Sequence, residues 1–262
     1  MKRLKQGFFV AVLACLMLFA VPTSAHAASL VQLKTGKTYQ SYDVTRDGKK
    51  DSIKIVQSAS YATDFETKMK VYVNGTKRFT ATGMKDCWLY VFTDGKRSVI
   101  LSMPVAGDGG RALYAYNYNN KKFQKKLLTS PGYFYTTPKK SGSNLKLYSQ
   151  PKGSWWLKSF QNFTDMPFEA MDTYKISNGT LTKVNTYSEI SGKKTYYAKY
   201  AFTAGKKITT VSAKDGPSVK AGQKVVLKNI YYRKSDYTYY YKISVDGVNG
   251  WFKDSSAIQF ES

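Results

Sequence analysis

The chain has 262 residues, 42% of them hydrophobic and 15% aromatic, with 41 Lys+Arg against 17 Asp+Glu and a formal net charge of +24. The apolar fraction is that of a globular protein and 22% charged residues is not a disordered composition, so one or two domains with ordinary cores are expected. The single histidine, His26, excludes the most: a mature chain that loses it on export can build neither a Cys–His or Ser–His–Asp centre nor a His-held zinc site.

Lys2, Arg3 and Lys5 precede an apolar run from Phe8 to Val21, and Ala25-His26-Ala27 sets small residues around a cleavage point before Ala28. The pattern predicts a signal peptide over residues 1–27, because about 14 apolar residues fall short of the roughly 20 that span a bilayer. No second run of that length follows, so no transmembrane anchor is expected after cleavage and the product is expected to be secreted or cell-wall associated. Cleavage removes three bases and no acid, which lowers the net charge from +24 to +21. Cys87 then has no partner for an internal disulfide, as is common in exported proteins of single-membrane bacteria. Asp86-Cys87-Trp88-Leu89-Tyr90-Val91-Phe92 reads as a buried strand, so a core thiol is expected there and not a nucleophile.

Asp43-Val44-Thr45-Arg46-Asp47-Gly48-Lys49-Lys50-Asp51 places oxygen side chains at relative positions 1, 3, 5 and 9, with glycine at 6 permitting a sharp turn. That spacing wraps oxygens around calcium: Asp43, Asp47 and Asp51 through carboxylates, Thr45 directly or through water, and Lys49 through its backbone carbonyl. An EF-hand would continue into a helix, whereas Ser52-Ile53-Lys54-Ile55-Val56 alternates like a strand. The loop-then-strand order resembles the calcium-loop repeats of the FG-GAP and VCBS class over about residues 40–80, with an acid-poor echo at Thr93-Asp94-Gly95-Lys96-Arg97-Ser98-Val99-Ile100-Leu101. Thr45 and Arg46 depart from that class, which prefers Asp or Asn and a small residue there. The resemblance implies a calcium ion that braces the turn; a metal-free Asp/Gly turn is the alternative.

Most of the remaining chain reads as short strands rich in aromatic and β-branched residues, among them Lys70-Val71-Tyr72-Val73, Leu113-Tyr114-Ala115-Tyr116 and Lys224-Val225-Val226-Leu227. Asn74-Gly75, Asn119-Asn120 and Asn178-Gly179 lie between such runs and suit hairpins that need positive φ. They also mark a loose repeat, seen in Val71–Lys77, Tyr116–Lys122 and Tyr174–Thr180, whose turns are 45 and 59 residues apart. That is near the roughly 40 to 50 residues of a propeller blade. The expected fold is mainly β, with irregular propeller-like or stacked antiparallel sheets over residues 28–205. Gly107-Asp108-Gly109-Gly110-Arg111 lacks the context of a nucleotide loop and reads as a turn.

Trp156, Phe160 and Phe163 give the one helical spacing, followed by Asp165, Glu169 and Asp172. A His-free glycan hydrolase would need two such carboxylates roughly 5 to 10 Å apart. On a helix the three would share a face, but Pro167 argues against that helix, and ordinary solvated acids are the plainer reading.

At the C-terminus, Val219-Lys220-Ala221-Gly222-Gln223-Lys224-Val225-Val226-Leu227 gives a turn and a strand, Tyr239–Val245 another strand, and Val248-Asn249-Gly250-Trp251-Phe252 a Gly-Trp signature. Residues 206–262 thereby resemble a bacterial SH3-like (SH3b) barrel, a module that secreted bacterial proteins use on cell-wall material. Trp251 reads first as a core residue. Tyr231, Tyr232, Tyr237, Tyr239 and Tyr240 are too many for one small core, so some of them, with Trp251, are candidates to stack on sugars or peptides.

Lysine dominates the bases, which suits a diffuse field for polyanions and not the arginine forks of specific nucleic-acid readout. The expectation is an exported, non-enzymatic envelope-binding protein whose partner is peptidoglycan or teichoic acid. A carboxylate-dependent glycan hydrolase, or a decayed relative of one, and a partner or inhibitor of another secreted protein are the alternatives.

Overall fold

The computed structural model describes residues 27–107, 109–129, 133–151, 168–233, 235–236, 238–255 and 258–261. The expected signal peptide up to residue 26, the helical spacing at Trp156, Phe160 and Phe163, and the candidates Asp165 and Tyr237 lie outside the described residues. The protein is mainly β, built from antiparallel sheets. Among the described residues no helix is long and apolar enough to cross a membrane.

Three four-stranded meanders follow one another. The first is β2 (Thr38–Tyr42), β3 (Asp51–Ala59), β4 (Thr67–Val73) and β5 (Thr76–Gly83). The second is β6 (Asp86–Thr93), β7 (Ser98–Val105), β8 (Tyr114–Asn119) and β9 (Lys122–Leu127), with β1 (Ser29–Leu33) paired to the free edge of β6 from Ser29 opposite Thr93 to Leu33 opposite Leu89. The third is β10 (Tyr133–Ser141), β11 (Asn144–Pro151), β12 (Ala170–Ser177) and β13 (Thr180–Lys183).

The three Asn turns of the sequence repeat occupy equivalent places, each closing the last hairpin of its meander: β4–β5, β8–β9 and β12–β13. Their residues hold the positive φ that such hairpins demand, 52° and 76° at Asn74 and Gly75, 47° and 62° at Asn120 and Lys121, and 48° and 70° at Asn178 and Gly179. The acid-poor echo at Asp94 is likewise equivalent to the Asp43–Asp51 loop, since each joins the first and second strands of its meander.

Period-two alternation sends Ile53 and Ile55 of β3 and Val71 and Val73 of β4 to one face, where they meet Leu89 and Val91 of β6 and Ile100 of β7. Val99, Leu101 and Met103 of β7 point the other way, onto Leu145 and Leu147 of β11 and Tyr174 and Ile176 of β12. The second sheet is therefore a middle layer covered on both faces, which is why β7 reads as a near-continuous apolar run. Cys87 is buried in the first of these cores, and burial pushes its thiol up to about 12, as a core residue and not a nucleophile.

The remaining strands extend the third sheet. β14 (Ser188–Ala198) pairs with β12, then β17 (Lys224–Arg233), β18 (Thr238–Val245) and β19 (Val248–Lys253) follow in order, while β20 (Phe260–Glu261) pairs with β14. The short β15 (Phe202–Thr203) and β16 (Ser218–Val219) form a separate pair, and a 3-10 turn at Ile208–Ala213 packs near β19. Ala170, Tyr196, Leu227, Ile230, Tyr241, Ile243 and Phe252 share a third core with residues from other strands of this sheet, so that part must bend around it. Register shifts in β14 and β17 supply the bends.

The expected small barrel is corrected here. Among the described residues no sheet closes into a barrel; β17, β18 and β19 continue a nine-stranded sheet. The reason is non-local: β14, upstream of residue 206, occupies the edge of β17 from Ser188 opposite Ile230 to Tyr197 opposite Lys224.

Candidate functional site

Asp51 opens β3 on its inward-facing register, and its carboxylate is only 1% exposed. A buried carboxylate needs donors on its lone pairs, and this one has four. The backbone NH groups of Val44 and Thr45 donate to Oδ2 at 2.7 and 2.8 Å, and the Thr45 hydroxyl and Asn74 Nδ2 donate to Oδ1 at 2.9 and 2.6 Å. Asp43 accepts the NH of Arg46 on one oxygen and that of Gly48 on the other, and Asp47 accepts the NH of Lys49. Of the five residues expected to hold calcium, Asp51 is committed to the loop and Thr45 spends its proton on Asp51. Asp43, Asp47 and the Lys49 carbonyl keep unshared lone pairs, but among the described residues no three acidic, histidine or cysteine side chains gather into a group that could hold a metal ion.

The Asp94 turn repeats the device. One Asp94 oxygen accepts the NH groups of Lys96 and Arg97, and the other takes the Arg97 guanidinium at 2.8 Å. Burial opposes ionisation there, but the NH groups of Arg97 and Lys96 and the guanidinium together hold the carboxyl below its usual range.

Arg46 leaves the first loop at φ 63° and donates from Nη1 to the Tyr118 carbonyl at 2.7 Å, at the end of β8. Its guanidinium also lies where a side chain on Gly179 would begin: an added Cβ there would sit 2.0 Å from Cζ. One arginine, at a position where the calcium-loop pattern prefers a small residue, thus ties the first meander to the closing turns of the other two.

On β17 to β19 the aromatic candidates divide by alternation. Tyr232 and Tyr239 face the third core, their rings 4.9 Å apart, and Tyr239 is 2% exposed. The opposite face carries Tyr231 and Arg233 of β17, Tyr240 and Lys242 of β18, and Trp251 and Lys253 of β19, with Tyr231 opposite Tyr240, Tyr240 opposite Lys253 and Lys242 opposite Trp251. Trp251 is held at both main-chain groups by Gly205, at 2.8 Å each, and is buried, 6% exposed. Tyr187 completes the group. Its ring is 4.7 Å from that of Trp251 and 5.5 Å from that of Tyr231, both edge to face. Tyr187 and Tyr231 are half-buried, so the group reaches the surface through these two rings, with the buried Trp251 supporting them.

The same face carries a charged cluster. Arg233 pairs with Asp236 through Nε and Nη2, lies 4.5 Å over the Tyr240 ring, and has Lys253 4.0 Å from the same carboxylate. The Arg233 hydrogen bonds chiefly, with that of the Tyr240 hydroxyl at 2.9 Å, hold the Asp236 carboxyl well below its usual range, and burial pushes the Tyr240 hydroxyl up to about 12.

Asp172 is 7% exposed on the inner face of β12, 2.8 Å from the Lys183 ammonium. Glu169 precedes β12, half-buried, with its main chain accepting the Ser191 NH. The chain from Ala170 is a strand, so the two carboxylates share no helix face.

Sequence reasoning missed Tyr187, which stands alone in Asn185-Thr186-Tyr187-Ser188 and meets Trp251 only through the β14–β17–β18–β19 pairing. The division of the tyrosines was open to it, because the period-two parity that sends Tyr231 outward sends Tyr232 inward. No protein-family model, no curated protein and no solved structure matches this chain.

Proposed function

We propose that this is an exported, non-enzymatic protein that binds a polymer of the bacterial cell envelope. The observation that carries the reading is the Tyr187–Tyr231–Trp251 group, bordered on one sheet face by Lys242, Lys253 and Arg233. Flat rings stack on the apolar faces of sugars, and adjoining ammonium groups meet phosphates or carboxylates of the same polymer. The partner is peptidoglycan or teichoic acid. The three successive meanders support a blade-like, propeller-related scaffold for residues 28–205, with a calcium ion at Asp43 and Asp47 bracing the first loop.

The test is co-sedimentation of the mature chain with purified walls, with and without teichoic acid, at low and high salt. The wild type pellets with walls, and Tyr231→Ala weakens binding about tenfold, or ~1.4 kcal/mol. Tyr231 is the right probe because it is half-buried, whereas truncating Trp251 would also disturb packing. Absence of pelleting under every condition overturns the reading.

A further inference from the structure

A second surface, distant in sequence from the aromatic face, carries lysines in a different state. Between the loop joining β2 to β3 and the turn joining β6 to β7 lies a cleft of about 380 Å³, within the size range of small-ligand sites. Lys49, Lys50 and Lys96 line it, with Ser41, Thr93 and Ser98. Among the described residues no carboxylate lies within 4 Å of any of these three ammonium groups. The neighbouring carboxylates turn toward donors of their own turns: Asp43 to the NH groups of Arg46 and Gly48, Asp47 to that of Lys49, and Asp94 to those of Lys96 and Arg97 and to the Arg97 guanidinium. Asp43 is the one acid in the lining, so the cleft carries three cations against one anion.

We propose that this cleft binds the phosphodiester groups of an anionic polymer. Tetrahedral phosphate oxygens accept from ammonium and hydroxyl donors together, and a partly enclosed cleft presents both to one group more strongly than scattered surface lysines do. Two turns from two stacked sheets form the site together with the start of β1, where Ala27 is lost on the expected cleavage and Ser29 is kept, so it exists only when the first two meanders are packed. The proposal rests on the envelope-polymer reading and names the chemistry of the polymer.

The experiment titrates the mature chain, in chelator and at low salt, with soluble poly(glycerol phosphate), with uncharged dextran and with phosphatidylglycerol vesicles. The cleft variant is Lys49→Gln/Lys50→Gln/Lys96→Gln. The control is Lys193→Gln/Lys220→Gln/Lys224→Gln, which removes the same charge from exposed positions elsewhere. The cleft variant loses about tenfold or more in affinity for poly(glycerol phosphate) while the control loses less than about threefold, with both melting like wild type. Equal losses in the two variants, no binding of poly(glycerol phosphate), or preferential binding of the vesicles overturns the cleft. Tyr231→Ala keeps the two proposals separable: wall pelleting that depends on Tyr231 but not on the cleft lysines sinks only the cleft, and the converse sinks only the aromatic face.

Discussion

In the turns of the first two meanders, carboxylates take backbone NH groups and, among the described residues, Lys49, Lys50 and Lys96 have no carboxylate within 4 Å, whereas beside β17–β19 Arg233 and Lys253 both reach Asp236. The difference follows from what each region asks of its acids. A long irregular loop must satisfy main-chain donors that no strand partner takes, and Asp side chains do this without a cation. Asp236 stands in the short turn between β17 and β18, where the Arg233 guanidinium takes both of its oxygens and the Tyr240 hydroxyl donates to one of them, so charge there is neutralised in pairs. Among the described residues, Lys49, Lys50 and Lys96 are therefore left without a carboxylate partner beside the first two turns, whereas Arg233 and Lys253 share one beside the turn from β17 to β18.

The sharpest way to break this comparison is to remove an acid from each side. Asp51→Ala leaves two backbone NH groups and the Asn74 amide without an acceptor in a site that is 1% exposed, and is expected to cost about 3 kcal/mol or more of stability. Asp236→Asn, on the exposed ion cluster, is expected to move the urea midpoint far less. Midpoints that shift equally, or an Asp51→Ala loss below about 1 kcal/mol, would mean that the loop does not depend on its buried carboxylate.

A double-mutant cycle probes how the meanders are joined. Gly179→Ala suffers from its positive φ and displaces the Arg46 guanidinium, the flexible end of a side chain that can swing aside by giving up its bond to Tyr118, and is expected to cost about 1.5 to 2 kcal/mol. In an Arg46→Ala background nothing is displaced, and the same change should cost only the ~1 kcal/mol of the strained turn. The coupling is read from chemical denaturation of the four proteins. Strict additivity would show that Arg46 does not rest on that turn.

These tests also separate what was legible in the sequence from what was not. The Asn hairpins were legible because positive φ is a local demand that few residues meet, and the strands because alternation is local too. The Asp43–Asp51 loop stood out for its oxygen spacing, but spacing is silent on whether an oxygen faces a cation or the loop's own NH groups. That depended on Asn74, 23 residues away on the neighbouring hairpin. The continuation of β17 into β14 was hidden for the same reason: a strand edge carries no mark of which distant segment will pair with it. Arg46 is the clearest instance, since a residue that fits the loop pattern poorly is explained only by Tyr118 and Gly179, which belong to other meanders.

The smallest expected effect asks whether a cation joins the NH groups in bracing the first loop. With Asp51 already saturated, any calcium must be held through Asp43, Asp47 and the Lys49 carbonyl, which is a weak set; a Kd on the order of 1 mM is appropriate for so few carboxylates. At 5 mM calcium such a site adds ~1 kcal/mol by mass action, a rise of about 2 to 4 °C in Tm for a chain of this size. Asp47→Ala should abolish the rise while leaving the Tm in chelator nearly unchanged, because Asp47 is exposed and accepts a single NH from Lys49. A Tm indifferent to calcium in both proteins would remove the ion from the proposal and leave the loop held by its own donors alone. A rise that survives Asp47→Ala would place the ion elsewhere and equally end its assignment to this loop.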